Sequence, residues 1–200
     1  MHAFKTALVL GCAAALAACG HVPVGSLIAL RNFNAATFDP ATLRLAMQMP
    51  DVIAPLRRGV KLEVTLWSDA DPAHKTKRSF VLEETAGPDA QAGLAGFARP
   101  GHVIHAYRVA PKDIAAIRAL QALGSTMGTQ HPGQNHLAIG AGMAACRLGD
   151  LPTDSLPTTT LIEVTPQAGY VELLRDLDIK EEARKAGKDL DIELPPCTSS

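Results

Sequence analysis

The chain has 200 residues, with 19 Lys and Arg against 20 Asp and Glu and a formal net charge of −1. That balance argues against nucleic acid as a partner, which calls for a basic face, and an aromatic content of 4% leaves few platforms for stacking bases or sugars. Hydrophobic residues reach 47%, a share inflated by an alanine-rich opening run and otherwise normal for a globular chain.

That opening run is the first predicted element. Lys5 supplies a positive charge, and residues 6–18 are apolar or small, well short of the roughly 20 apolar residues that span a bilayer. The pattern reads as a secretory signal peptide rather than a membrane helix. It ends in Leu16-Ala17-Ala18-Cys19, which resembles the lipobox of bacterial lipoproteins. The resemblance is confined to the first residues, up to about Gly20. It implies that the Cys19 thiol carries diacylglycerol, that the signal is cut before it, and that the new amino terminus is acylated too; plain cleavage nearby is the alternative. Each buried methylene contributes roughly 0.8 kcal/mol, so two or three chains hold firmly where one holds marginally. Gly20 stands where, in enteric bacteria, an aspartate favours retention in the inner membrane, which points to the outer membrane facing the periplasm. Residues 1–18 are then the signal, 19–26 a lipidated tether, and 27–200 a single β-rich domain.

The lipobox also sorts the cysteines. Cys12 leaves with the signal and Cys19 takes lipid, so Cys146 and Cys197 remain in an oxidising compartment, where a disulfide is the economical reading. It closes a loop of about 50 residues, which contributes roughly 4 kcal/mol in the chain-entropy account.

Along the rest of the chain, "SLIALRNF" is expected as a first strand, and Asp39-Pro40 as a helical turn. Leu43, Leu45, Met47 and Met49 then alternate with Arg44, Ala46 and Gln48, the period of a half-buried strand. "VKLEVTLWS" repeats it, with Leu62, Val64 and Leu66 on one face. "KRSFVLEE" is a third such run, joined to the second by the polar loop "SDADPAHKT" and so an antiparallel neighbour. After a Gly- and Ala-rich loop, "HVIHAYRV" reads as a strand. A helix follows, with Pro111 near its start, Ile114, Ile117 and Leu120 along one side, and Gly124 as its stop. "HLAIGAGMAAC" alternates again, and "TTTLIEVT" and "YVELL" flank "PQAG", a hairpin signal with Gly169 free to take positive φ. A last short helix has Asp178 as cap, Glu181 and Lys185 paired at i,i+4, and Gly187 at its end. The sum predicts an α+β, mainly β fold: an antiparallel sheet or two-layer sandwich with one packed helix.

Candidate chemistry is sparse. His21, His74, His102, His105, His131 and His136 are read as ordinary histidines, not zinc ligands: His102 and His105, three apart in a strand, point to opposite faces. Asp69, Asp71 and His74 lack the further ligands and glycine of a calcium loop. No Gly-x-Ser-x-Gly motif occurs, and Ser125 is expected after a helix. Gly140 and Gly142 lack the third glycine of a dinucleotide loop. These readings imply no catalytic residue, metal or cofactor. The leading expectation is a non-catalytic envelope lipoprotein, anchored through Cys19, that supports or binds another envelope component. The alternatives are a small-molecule or lipid-binding module, and a hydrolase using dispersed residues among His102, His136 and Asp69.

Overall fold

The computed structural model describes residues 33–87, 93–130 and 132–198, together with residues 23 and 30, and only the backbone of residues 72–74. Cys19, the signal and nearly all of the tether and of the expected first strand lie outside the described residues.

Eight described strands form two antiparallel sheets. In the larger, strand β1 (Arg44–Pro50) is central, in the order β4-β5-β1-β7-β8, with β4 Glu83–Thr85, β5 His102–Arg108, β7 Pro157–Glu163 and β8 Val171–Asp178. In the smaller, β2 (Ile53–Ser68) lies between β3 (Asp71–Val81) and β6 (Asn135–Arg147). Three helices follow β5: α1 (Ile114–Gln130), α2 (Ile179–Lys185) and α3 (Leu190–Glu193). The fold is thus α+β and mainly β, as the alternating runs imply.

The two-residue period of a strand puts every second side chain on one face, and the core follows from it. Val60 and Leu62 of β2 meet Leu45 of β1, Tyr107 of β5 and Ile117 of α1 between the sheets. A second cluster joins Met49, Ile53, Ala145, Leu156 and Leu194 toward the C-terminal tail. Strand β1 is more than half-buried. Ala46 and Gln48, on the face expected to be open, are buried too, because the turn at Ala95–Phe97 brings Leu94 and Phe97 over that face. Gln48 is satisfied there by donating from Nε2 to the Phe97 carbonyl.

Three local expectations are corrected. Gly124 does not stop α1, which runs on to Gln130 and takes in Ser125. A Cβ at Gly124 would lie 3.0 Å from Leu66 Cδ2 and 3.4 Å from Leu137 Cδ2, so the glycine serves close approach of helix to sheet. The buried face of α1 is Ile117 and Gln121, with Leu120 only half-buried. The run "KRSFVLEE" is not one strand. It leaves the small sheet after Val81, Leu82 is buried with its amide donating to the Val60 carbonyl at 3.0 Å, and β4 joins the large sheet beside β5. Most of the polar loop "SDADPAHKT" is strand: Ser68 pairs with Asp71 across a tight turn at Asp69-Ala70.

The C-terminal third follows its sequence signals. β7 and β8 form the hairpin, with Gly169 at φ 64°. Asp178 caps α2 by accepting from the Lys180 amide, Glu181 and Lys185 pair at 3.1 Å, and Gly187 has φ 67°. The tail after α3 returns beside β6, where Arg147 and Pro196 form a parallel bridge and Cys146 and Cys197 are joined in a disulfide.

Candidate functional site

The β2–β6 ladder is broken in its middle. Between the pairs Pro55–Ala145 and Val60–Met143, residues 56–59 stand opposite Ala144 alone. Pro55 begins the break because it has no amide hydrogen for the ladder. Arg58 has φ 60°, the left-handed region, which costs an L-residue on the order of 1–2 kcal/mol. Gly59 then brings the chain back so closely that a Cβ would lie 2.5 Å from the Ala144 carbonyl oxygen and 2.8 Å from that of Leu56. Only glycine fits. The result is a bulge that carries Arg57 and Arg58 outward, both exposed.

Beneath the bulge lies a cleft of about 430 Å³, bounded also by the β3–β4 switch, β5 and the residues leading into α1. Its charged and polar lining is Arg57, Arg58, Lys112, Glu83, Glu84 and Tyr107. The two carboxylates are already engaged. Glu83 accepts from Arg108 Nε and a terminal nitrogen at 3.2 and 3.1 Å, and Glu84 bonds His105 Nδ1 at 2.9 Å. The side chains of Arg57, Arg58 and Lys112 have no hydrogen bond or ion pair to any described residue. Tyr107 is 4% exposed, and its hydroxyl is buried with no hydrogen-bond partner among the described residues. Burial first, and the Glu84 carboxylate second, push this phenol above its ordinary pKa, so it stays protonated and able to donate. An unmet buried hydroxyl costs about 1–3 kcal/mol. With Arg58, two locally unfavourable features meet at one cleft, the pattern associated with functional positions.

In the sequence these residues carry no functional motif. "PLRRGV" sits between two alternating runs and looks like a polar turn. Its one signal is a Pro followed by paired arginines and a Gly inside what is otherwise strand. Nothing local says that Lys112 and Tyr107 come to meet it.

Of the residues singled out for chemistry, Asp69 and His136 do meet. Asp69 Oδ2 and His136 Nε2 are 2.9 Å apart, His136 stacks on Trp67 at 4.9 Å between ring centroids, and Lys75 Nζ lies 5.8 Å from the Trp67 ring. The pair ties the β2–β3 turn to the start of β6, and no hydroxyl or thiol of a described residue bonds either ring nitrogen of His136. His102 is apart from them, in the other sheet, with Nδ1 3.1 Å from the Pro100 carbonyl and Nε2 buried without a partner among the described residues. His105 and His102 lie on opposite faces of β5, as strand geometry requires. His21 and His131 are outside the described residues, as is the side chain of His74. Gly140 and Gly142 lie in the edge strand β6 rather than in a loop before a helix. Among the described residues no three His, Cys, Asp or Glu side chains group as a metal site, and no helix is long and apolar enough to cross a membrane.

No protein-family profile, curated protein or solved structure gives a significant match to this chain. The functional reading therefore rests on the cleft itself.

Proposed function

We propose that this protein is a non-catalytic lipoprotein of the bacterial cell envelope, held to the membrane through Cys19. Its β-sandwich acts as a binding module for another envelope component. The cleft beneath the β2 bulge is its recognition site. The observation that carries the reading is the set of three cations without partners among the described residues, Arg57, Arg58 and Lys112, in a cleft that Tyr107 also lines. A purely structural role gives no account of an arginine in a strained backbone beside an unsatisfied phenol. The core between the sheets is filled by Met49, Ile53, Val60 and Ile117, all essentially inaccessible, which favours recognition at a surface cleft over an interior ligand cavity. The hydrolase alternative has the Asp69–His136 pair in its favour. That pair is well explained by closing one end of the small sheet.

The anchor and the binding site are tested together. Cys19→Ser is expected to shift the protein from the detergent phase to the aqueous phase on detergent partitioning. If the variant stays membrane-bound and uncleaved, residues 6–18 are themselves the anchor. In the lipidated protein, Arg57→Glu with Arg58→Glu is expected to remove envelope components that co-purify from solubilised membranes with the wild type. An unchanged co-purification profile overturns the cleft as the recognition site.

A further inference from the structure

We propose that the cleft binds a phosphomonoester-type dianion, either on a soluble molecule or on an anionic lipid headgroup. This inference rests on the reading of the cleft as a recognition site and gives it a ligand class.

Charge is the first argument. Three cations without partners among the described residues line a cleft whose two acids already have partners within the protein: Glu83 is paired with Arg108, and Glu84 is hydrogen-bonded to His105, so the cations outnumber the acids. A single carboxylate would leave two of the three cations unmet. A phosphomonoester carries about −1.5 to −2 at pH 7 and presents three acceptor oxygens, a closer match to two guanidinium groups and one ammonium. Guanidinium groups also suit this chemistry by geometry, since their planar donor pairs fit two oxygens of one phosphate.

The neutral donor is the second argument. Tyr107 reaches the cleft from β5 with its hydroxyl protonated, buried and unbonded among the described residues. It cannot neutralise charge, and its oxygen is closed to water, so it donates a hydrogen bond to an ester or terminal oxygen only once a ligand displaces the side chains over it. Desolvation strengthens such a bond. The cleft thus offers three exposed cations, with one neutral donor buried behind its lining.

The bulge is the third. Gly59 fixes where the chain re-enters the ladder, so Arg57 and Arg58 are projected from a rigid base and not from a long loop. Rigid presentation lowers the ordering cost of binding. Arg58 holds a φ that glycine would take without strain; a chain under selection for stability alone would favour glycine there.

The experiment uses the mature lipidated protein in neutral detergent. Calorimetric titrations are run with inorganic phosphate, with glycerol phosphate, and with micelles doped with phosphatidic acid or, as a control, phosphatidylcholine. Succinate serves as the carboxylate comparison. Saturable binding is expected for at least one phosphate probe, with succinate and phosphatidylcholine at least about tenfold weaker, the size of one lost charge-assisted hydrogen bond. Binding to glycerol phosphate identifies a soluble ligand, and binding to phosphatidic acid micelles alone identifies a headgroup. Lys112→Ala and Arg58→Gly should each weaken it about tenfold or more, and Tyr107→Phe by several-fold. Arg58→Gly relieves the left-handed strain at the bulge, so its melting temperature should equal or exceed that of the wild type while its affinity falls. That separates recognition from folding. Saturable binding to none of the phosphate probes overturns the proposal, as does equal affinity for succinate or affinity indifferent to all three substitutions. The co-purification test with Arg57→Glu and Arg58→Glu remains independent: it can succeed when phosphate binding fails, in which case the cleft recognises a partner of other chemistry.

Discussion

A methyl group added at Gly59 has nowhere to go. Its two nearest neighbours are backbone carbonyl oxygens, of Ala144 at 2.5 Å and Leu56 at 2.8 Å, and neither can move without shifting the backbone of β6 or of the bulge itself. Gly124 is also pressed against the small sheet, but its nearest contact is the tip of the Leu66 side chain at 3.0 Å, which can rotate by a few tenths of an ångström. The two sites should therefore respond differently to alanine. Gly59→Ala is expected to cost about 2–3 kcal/mol, the upper part of the range for overpacking. Gly124→Ala gains up to about 1 kcal/mol of helix propensity inside α1 against a smaller steric penalty, so it should fall within about 1 kcal/mol of the wild type. Urea unfolding of both variants decides it. If Gly124→Ala proves the costlier, the bulge is not the rigid base that the cleft needs.

At the scale of elements, the C-terminal tail is held to β6 in three ways. Arg147 N donates to the Pro195 carbonyl at 2.9 Å, Cys197 N donates to the Arg147 carbonyl at 2.8 Å, and Cys146 is bonded to Cys197 across 51 residues. The hydrogen bonds alone leave the tail free to fray; the disulfide does not. It also keeps Leu194 in the second core cluster. Cys197→Ser leaves Cys146 as a small buried apolar residue, so the main loss is the tether. The expected cost is about 2–4 kcal/mol, with the chain-entropy value near 4 as the ceiling. Denaturant unfolding measures it, and non-reducing peptide mapping of the mature protein must return the Cys146–Cys197 peptide pair. Two free thiols in the native protein would end this account. Elements of this kind were legible in the sequence wherever the signal was local: alternation for β1 and β2, "PQAG" for the β7–β8 hairpin, Asp178 for the start of α2. Legibility failed where tertiary contacts decided. Leu82 lies within one unbroken apolar–polar run, yet the chain changes sheets there because its amide finds Val60. Gly124 has the composition of a helix stop, yet it is a packing contact. The cleft was the least legible feature of all, since Arg57 is separated from Tyr107 and Lys112 by about a quarter of the chain and joined to them only by the bulge and the sheet switch.

Across the whole molecule, two ion pairs tie together segments far apart in the sequence. Arg99, from the loop before β5, bonds Asp176 of β8, and Arg118 of α1 bonds Asp39 at 2.9 Å before β1. Hydrogen bonding from Arg99 is the main cause holding the Asp176 carboxyl below its ordinary value of 3.8. For Asp39 the main cause is the Ala41 amide, followed by Arg118. Both pairs are largely exposed, where such contacts are individually weak, so the effect is one of direction. A carboxyl whose folded pKa is lowered binds its proton more readily in the unfolded chain. Its contribution is therefore fully present above the ordinary value and is lost as pH falls through the lower, folded value. The melting temperature of the wild type should thus be level in this respect at neutral pH and should decline below about pH 4. Asp39→Asn with Asp176→Asn should melt lower than the wild type at neutral pH. The two curves should then approach each other as the wild-type carboxylates protonate, because the substitution mimics that neutral state. Melting curves recorded down through the acid range check this, and the added salt in which they are recorded should narrow the neutral-pH gap, since screening weakens exposed pairs. Curves that stay parallel through the acid range would show that neither carboxylate contributes through its charge, leaving the Asx turn at Asp39 and the amide of Asp176, which donates to Thr159 Oγ1 at 3.2 Å, as what those positions supply.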